Sequence, residues 1–280
     1  MSNEANELTK DAEQISEIEN EEETKLEEVK ETNVYSSSNI TFRDSSLITK
    51  QYPTEIITVI GSPKCGKTTL ICKFYDLLLR GQLTDISFKE SFTIFYLEWK
   101  SKSFRLNSNE SERTNLIDNY EDNNIIHLKL LKISESTTIE TDFLFPDISG
   151  EILSRSIKNS AFFDGYKRLF ELSKKVIYLL SSETLQYVST MENEATNFKN
   201  FFLRVFENNI PIERIFIVIS KLDIATEDYE NNKNLFFKKL KTFLKDKTVS
   251  SIEYFETSSK SDNPAIPSGK GIDTLIKALF

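Results

Sequence analysis

Gly61-Ser-Pro-Lys-Cys-Gly-Lys-Thr-Thr69 is the stretch from which the rest of the chain can be read. It follows the β-branched run Glu55-Ile-Ile-Thr-Val-Ile60 and precedes Leu70-Ile-Cys-Lys-Phe-Tyr-Asp-Leu-Leu-Leu79, so the pattern Gly-x-x-x-x-Gly-Lys-Thr stands between a predicted strand and an amphipathic helix. That setting is what phosphate chemistry needs. Gly61 and Gly66 let the backbone curl so that successive N–H groups surround an anion, with Ser62, Pro63, Lys64, Cys65 and Thr69 as the other residues of the site, Pro63 contributing no N–H. The positive end of the following helix points at the same place. Lys67 reaches β- and γ-phosphates, and the Thr68 hydroxyl is placed to hold Mg²⁺. A nucleotide site is expected here.

The charge is unevenly spread. Residues 1–33 carry 12 acidic and 3 basic side chains, and the other 32 acidic and 32 basic residues balance. The acidic character belongs to the tail, which its composition predicts to be disordered or, at most, a helix that docks on a partner. The neutral body has no field to attract nucleic acid. The 2 cysteines, Cys65 and Cys72, lack metal-ligand spacing and suit a reduced compartment. The polar N-terminus is no secretory signal and no apolar run reaches spanning length, so a cytoplasmic protein is expected.

Residues 34–54, Ser/Thr-rich with Pro53, are expected to connect the tail to one domain over 55–280. Helix 67–80 is expected to end at Gly81, with an irregular segment over 82–91. Phe92-Thr-Ile-Phe-Tyr-Leu-Glu-Trp99 alternates and predicts a strand, and 100–124 a polar insertion. Ile125–Lys132 and Thr141–Phe145 predict a hairpin, within which the lone His127 is expected to pack rather than catalyse. Helices about 151–172, 190–209, 228–245 and 272–280 then alternate with strands 176–180, 215–219 and 251–255. Such alternation gives an α/β fold, a mostly parallel sheet with helices on both faces.

Two further constellations follow predicted strands. Asp147-Ile-Ser-Gly150 puts a carboxylate at a strand end, suited to Mg²⁺, and a glycine whose N–H can approach a γ-phosphate. Ser220-Lys-Leu-Asp223 follows the all-apolar strand 215–219. Asp223 can accept hydrogen bonds from N1–H and the 2-amino group of guanine, a donor pair adenine lacks. Lys221 and Lys260 can lay their stems over the base, and the N–H groups of Ser258-Ser259 can meet its O6.

Gly61–Thr68, Asp147–Gly150, Ser220–Asp223 and Glu256-Thr-Ser-Ser-Lys260 resemble, in order, the first, third, fourth and fifth motifs of the translation-factor-related and Ras-like GTPases. Phe88–Glu98, Arg113-Thr114 and Asp147–Glu151 make the chain similar to the bacterial double-GTPase family, whose members are associated with prokaryotic conflict and defence systems. The resemblance implies a P-loop three-layer α/β/α fold, GTP/GDP as ligand, Mg²⁺, slow hydrolysis and a protein effector or activating partner. It implies Lys67, Gly150 and Glu151 as the hydrolytic residues, with Glu151 where relatives often carry a water-orienting Gln, and Ser220 where Asn or Thr is usual. It implies a switch threonine on the metal, Thr93 or alternatively Thr84. Arg105 and Arg113 are the candidate internal arginine fingers, each more in keeping with a surface role. The competing expectations are a non-hydrolysing nucleotide-bound scaffold and an adenine-specific ATPase or kinase.

Overall fold

The computed structural model describes residues 40–47, 53–105, 117, 119–247, 249–261 and 263–280. The acidic segment 1–33 and Arg113 lie outside the described residues, and of Arg105 only the backbone is described. Seven strands form one sheet: β1 (Thr54–Ile60), β2 (Ile86–Glu90), β3 (Ile125–Ile133), β4 (Thr138–Pro146), β5 (Lys175–Ser181), β6 (Arg214–Ser220) and β7 (Ser251–Glu256), in spatial order β2-β3-β4-β1-β5-β6-β7. β3 pairs antiparallel with β2 and β4, as the expected hairpin, and β4, β1, β5, β6 and β7 run parallel. All five parallel strands therefore end on one edge of the sheet, where an open α/β sheet binds its ligand.

Strand composition explains the placement. Arg214-Ile-Phe-Ile-Val-Ile-Ser220 is buried along both faces after its first residue, as a central parallel strand must be. Ile57, Val59, Ile177, Leu179, Phe216 and Val218 point to one layer, filled by α1 (Lys67–Leu79), α2 (Ile94–Arg105) and α7 (Ile272–Leu279). The other face carries α3 (Glu151–Lys158), α4 (Ser160–Leu172), α5 (Val188–Glu207) and α6 (Tyr229–Leu244). There Tyr178 of β5 meets Phe198 of α5 edge-on at 4.8 Å, and Phe201 does the same to Phe170 at 5.3 Å. Phe163, Phe170, Phe198, Phe201 and Phe202 are fully buried in this second layer.

Four expectations need correction. The stretch 92–99 is not a strand: its residues open α2, and the strand beside it, β2, lies in the segment expected to be irregular. The buried positions are Thr93, Tyr96, Leu97 and Ser101, at helical spacing, while Phe95 and Trp99 are exposed, so polar residues on the inner face and apolar ones on the outer face blur the helical pattern. The helix expected over 151–172 is two, because Asn159 takes an extended conformation (φ −132°, ψ 114°) and its side chain accepts the Phe162 N–H at 3.2 Å as the cap of α4. Finally, part of the connector is packed: Ile40 and Phe42 are buried, and Ile40 O accepts the Ile125 N–H at 2.9 Å beside β3. Likewise the insertion 100–124 begins as α2 and ends in a short turn, Tyr120–Asp122.

Candidate functional site

β1 runs into the loop at Gly61, where the chain passes so close to β5 that a Cβ would lie 2.0 Å from Leu179 O. Gly66 turns the chain into α1 with φ 95°, a left-handed conformation that suits glycine. Lys64 also adopts the left-handed region (φ 65°) and is exposed with Pro63 at the rim. Lys67 folds back so that its Nζ donates to Gly61 O at 3.2 Å and Ser62 O at 3.3 Å. Thr69 is half-buried in the first turn of α1. Cys65 is buried beneath the loop, and burial pushes its thiol above the ordinary range.

Asp147 leaves β4 directly beside this loop. Thr68 Oγ1 donates to Asp147 Oδ1 at 3.0 Å, so the two residues expected to hold Mg²⁺ are brought together. A hydroxyl and a carboxylate are the hard oxygen donors that this ion takes, few in number because phosphates and water complete its shell. Gly150 packs on the loop so tightly that a Cβ would stand 2.6 Å from Pro63 Cα and 2.8 Å from Lys67 Nζ. Its φ of −64° suits any residue, so the demand for glycine is purely steric.

Two expected site residues have other partners in this structure. Thr93 directly precedes α2 rather than lying in a strand, and its hydroxyl accepts the His127 N–H at 2.8 Å. Glu151 opens α3 with its side chain 56% exposed and 3.7 Å from Arg155. His127 itself is fully buried and packs as expected. Its Nδ1 accepts the Phe92 N–H at 3.0 Å, which leaves Nε2 to donate to Asp142 Oδ1 at 2.8 Å.

The base-binding candidates converge at the ends of β6 and β7. Ser220 Oγ lies 2.7 Å from Cys65 O and 3.1 Å from Leu180 O, its one proton shared between the two carbonyls, so serine joins the end of β6 to the phosphate loop. Lys221 takes the left-handed region (φ 58°), and its Nζ pairs with Glu183 at 2.7 Å. Asp223 Oδ1 accepts the Ser258 hydroxyl at 2.7 Å, and the Asp223 carbonyl accepts from Asn263 Nδ2 at 3.4 Å. Ser259 O accepts the Ser268 hydroxyl at 2.8 Å, and Lys260 follows half-buried. The carboxylate is thus oriented before any base arrives.

Four functional neighbours were not picked out from sequence: Tyr96, Lys100, Glu183 and Glu194. Tyr96 Oη donates to Asp147 Oδ2 at 2.6 Å, and burial, then the Asp147 charge, push its phenol upward so that it stays a donor. Glu194 sits in the apolar stripe of α5 with Met191, Ala195 and Phe198, a carboxylate where the helical period calls for an apolar side chain. It accepts from Tyr178 Oη at 2.6 Å and from Ser62 Oγ at 3.1 Å, which ties the phosphate loop to α5. Burial raises its carboxyl above the usual 4.5, against the donors Tyr178, Ser62 and Asn197. A raised acid gives stability that is fully present below the unfolded value and lost as pH rises through the folded one. Urea unfolding of Glu194→Gln against wild type should therefore move in favour of the variant as pH rises from 4.5, and a constant difference would refute this.

Among the described residues no group of three or more His, Cys, Asp or Glu is set to hold a metal, and no helix is long and apolar enough to cross a membrane. No curated protein matches the chain in sequence. The crystal structure of bacterial selenocysteine-specific elongation factor EF-Sec is similar at 13% identity and a TM-score of 0.39, over 81% of this chain and 28% of that one. The family model for double-GTPase 2 matches residues 55–280, from the second residue of β1 to the end of the sequence. The chain belongs to the double-GTPase 2 family.

Proposed function

We propose that the chain binds guanine nucleotides and hydrolyses GTP to GDP and phosphate as a slow, nucleotide-dependent switch. The observation that carries the reading is the joining of its two halves by Ser220, whose hydroxyl reaches from the base-binding strand end to Cys65 O of the phosphate loop. Asp223, held by Ser258, accepts N1–H and the 2-amino group of guanine, while Lys221 and Lys260 flank the base. Lys67 exchanges its bonds to Gly61 O and Ser62 O for β- and γ-phosphate oxygens, and the loop amides meet the same charge. Thr68 and Asp147 would hold Mg²⁺, which when bound neutralises charge on the β- and γ-phosphates. Gly150 offers its N–H beside Lys67, and Glu151, next in the chain, is the residue we assign to orient the attacking water once it leaves Arg155.

A protein effector or activator completes such a switch. Its setting in a prokaryotic conflict or defence system rests on the family resemblance. A non-hydrolysing nucleotide-bound scaffold is the second reading, favoured by the Glu151–Arg155 pair. Phosphate release from GTP with Mg²⁺ distinguishes them. Hydrolysis predicts turnover that Thr68→Ala lowers by about a hundredfold, the scale of removing one positioned group of a catalytic site. Nucleotide binding with no phosphate released would leave the scaffold.

A further inference from the structure

α2 lies across the pair Thr68 and Asp147, and its start is fixed there by β3. Thr93 Oγ1 accepts from His127 N at 2.8 Å, and the Phe92 ring stacks on the His127 ring at 5.0 Å. One and two turns on, Tyr96 and Lys100 stand four apart on the same helix face, which brings both onto a single carboxylate. Tyr96 Oη is 2.6 Å and Lys100 Nζ 3.7 Å from Asp147 Oδ2, while Oδ1 takes the Thr68 hydroxyl. The lysine side chain is 7% exposed and the aspartate 2%. A lysine so deeply placed needs compensation for its lost hydration. Here Asp147 supplies an anion, and the rings of Trp99 and Tyr96 lie 4.9 and 5.3 Å from the ammonium.

Building on the guanine-nucleotide reading, we propose that Lys100, assisted by Tyr96, is a built-in competitor of Mg²⁺ at Asp147. The ammonium and a divalent cation held by Thr68 and Asp147 would share one carboxylate at a few ångströms' separation, where like charges repel strongly away from bulk water. Metal loading therefore displaces the ammonium, and the stretch Tyr96–Lys100 repositions as Mg²⁺ and nucleotide enter together. Lys100 is thus a positioning residue that sets how much metal the site demands. Glu151 shares no bond with this cluster, so the effect is on loading rather than on the attack step.

Trp99 is the chain's 1 tryptophan and touches the ammonium, so its emission reports the change. The test titrates Mg²⁺ into full-length protein with saturating GDP, reading Trp99 emission together with the dissociation rate of fluorescent GDP. The proposal predicts an emission change in wild type and, read from the GDP dissociation rate because the variant has no ammonium beside Trp99, a midpoint about tenfold lower in Lys100→Met, as expected for loss of one nearby like charge. Tyr96→Phe, which keeps the ring and removes the donor, lowers the midpoint about threefold and carries the test should Lys100→Met not fold. Lys102→Met, exposed on the same helix, leaves the midpoint unchanged. A midpoint unmoved or raised in both Lys100→Met and Tyr96→Phe overturns the competition while leaving the nucleotide reading intact. Failure of fluorescent GDP to bind wild type at any Mg²⁺ concentration overturns both.

Discussion

Asp223→Asn is expected to weaken GDP binding at least about a hundredfold and to confer binding of xanthosine diphosphate. The carboxylate is fixed by the Ser258 hydroxyl at 2.7 Å and stands on the short turn Leu222–Ile224, entered through the left-handed Lys221. Guanine offers two donors, N1–H and its 2-amino group, to two carboxylate oxygens. An asparagine presents an amide N–H₂ to one of those donors and leaves it buried without an acceptor. Xanthine replaces the 2-amino group by a carbonyl, which the new amide satisfies. Competition against fluorescent GDP and fluorescent xanthosine diphosphate reads both halves of the prediction. A variant that keeps its preference for GDP would remove Asp223 from the base site.

Gly61→Ala is the second large effect, and it acts on the fold. A Cβ there would lie 2.0 Å from Leu179 O and 2.9 Å from Cys65 Sγ, so β5 or the loop itself must shift. The backbone carbonyl cannot rotate aside, because β5 is paired on both sides, with β1 and with β6. A cost of about 4 kcal/mol follows, a fall in Tm on the order of 10 °C for a domain of this size. Gly81→Ala provides the contrast: φ there is 60° but no atom lies within 4 Å of the added Cβ. Left-handed strain alone predicts about 1 kcal/mol. Gly61 also has φ 157°, so both variants carry backbone strain and only Gly61→Ala adds crowding; equal losses in thermal unfolding would refute the steric argument at Gly61.

The parts of the site readable in sequence are those whose chemistry is local. The phosphate loop requires glycines at fixed spacing between a β-branched strand and a helix, and β6 requires an unbroken apolar run, so both could be read from neighbouring residues. The strand ends carrying Asp147 and Asp223 followed from the same logic. α2 was illegible because its inner face is chosen for what it touches: Lys100 and Tyr96 meet Asp147, and Thr93 meets His127, all across long stretches of chain. With Phe95 65% and Trp99 48% exposed while Tyr96 and Leu97 are buried, the binary pattern along the helix is blurred. β2 was missed for a related reason: Ile86-Ser-Phe-Lys-Glu90 lies at the edge of the sheet and is only partly buried, so it lacks the apolar run of an inner strand. Glu194 did leave a signal, a carboxylate on the apolar stripe of α5, whose meaning depends on Ser62 far away in sequence.

The central claim is that the two constellations joined by Ser220 form one guanine-nucleotide site. Its most direct test is displacement of fluorescent GDP from wild-type protein by GTP, GDP and ATP in the presence of Mg²⁺. The account predicts displacement by GTP and GDP and none by ATP at a hundredfold higher concentration, roughly the discrimination of a site built around a substrate's hydrogen-bond donors. Displacement by ATP as readily as by GTP would contradict it.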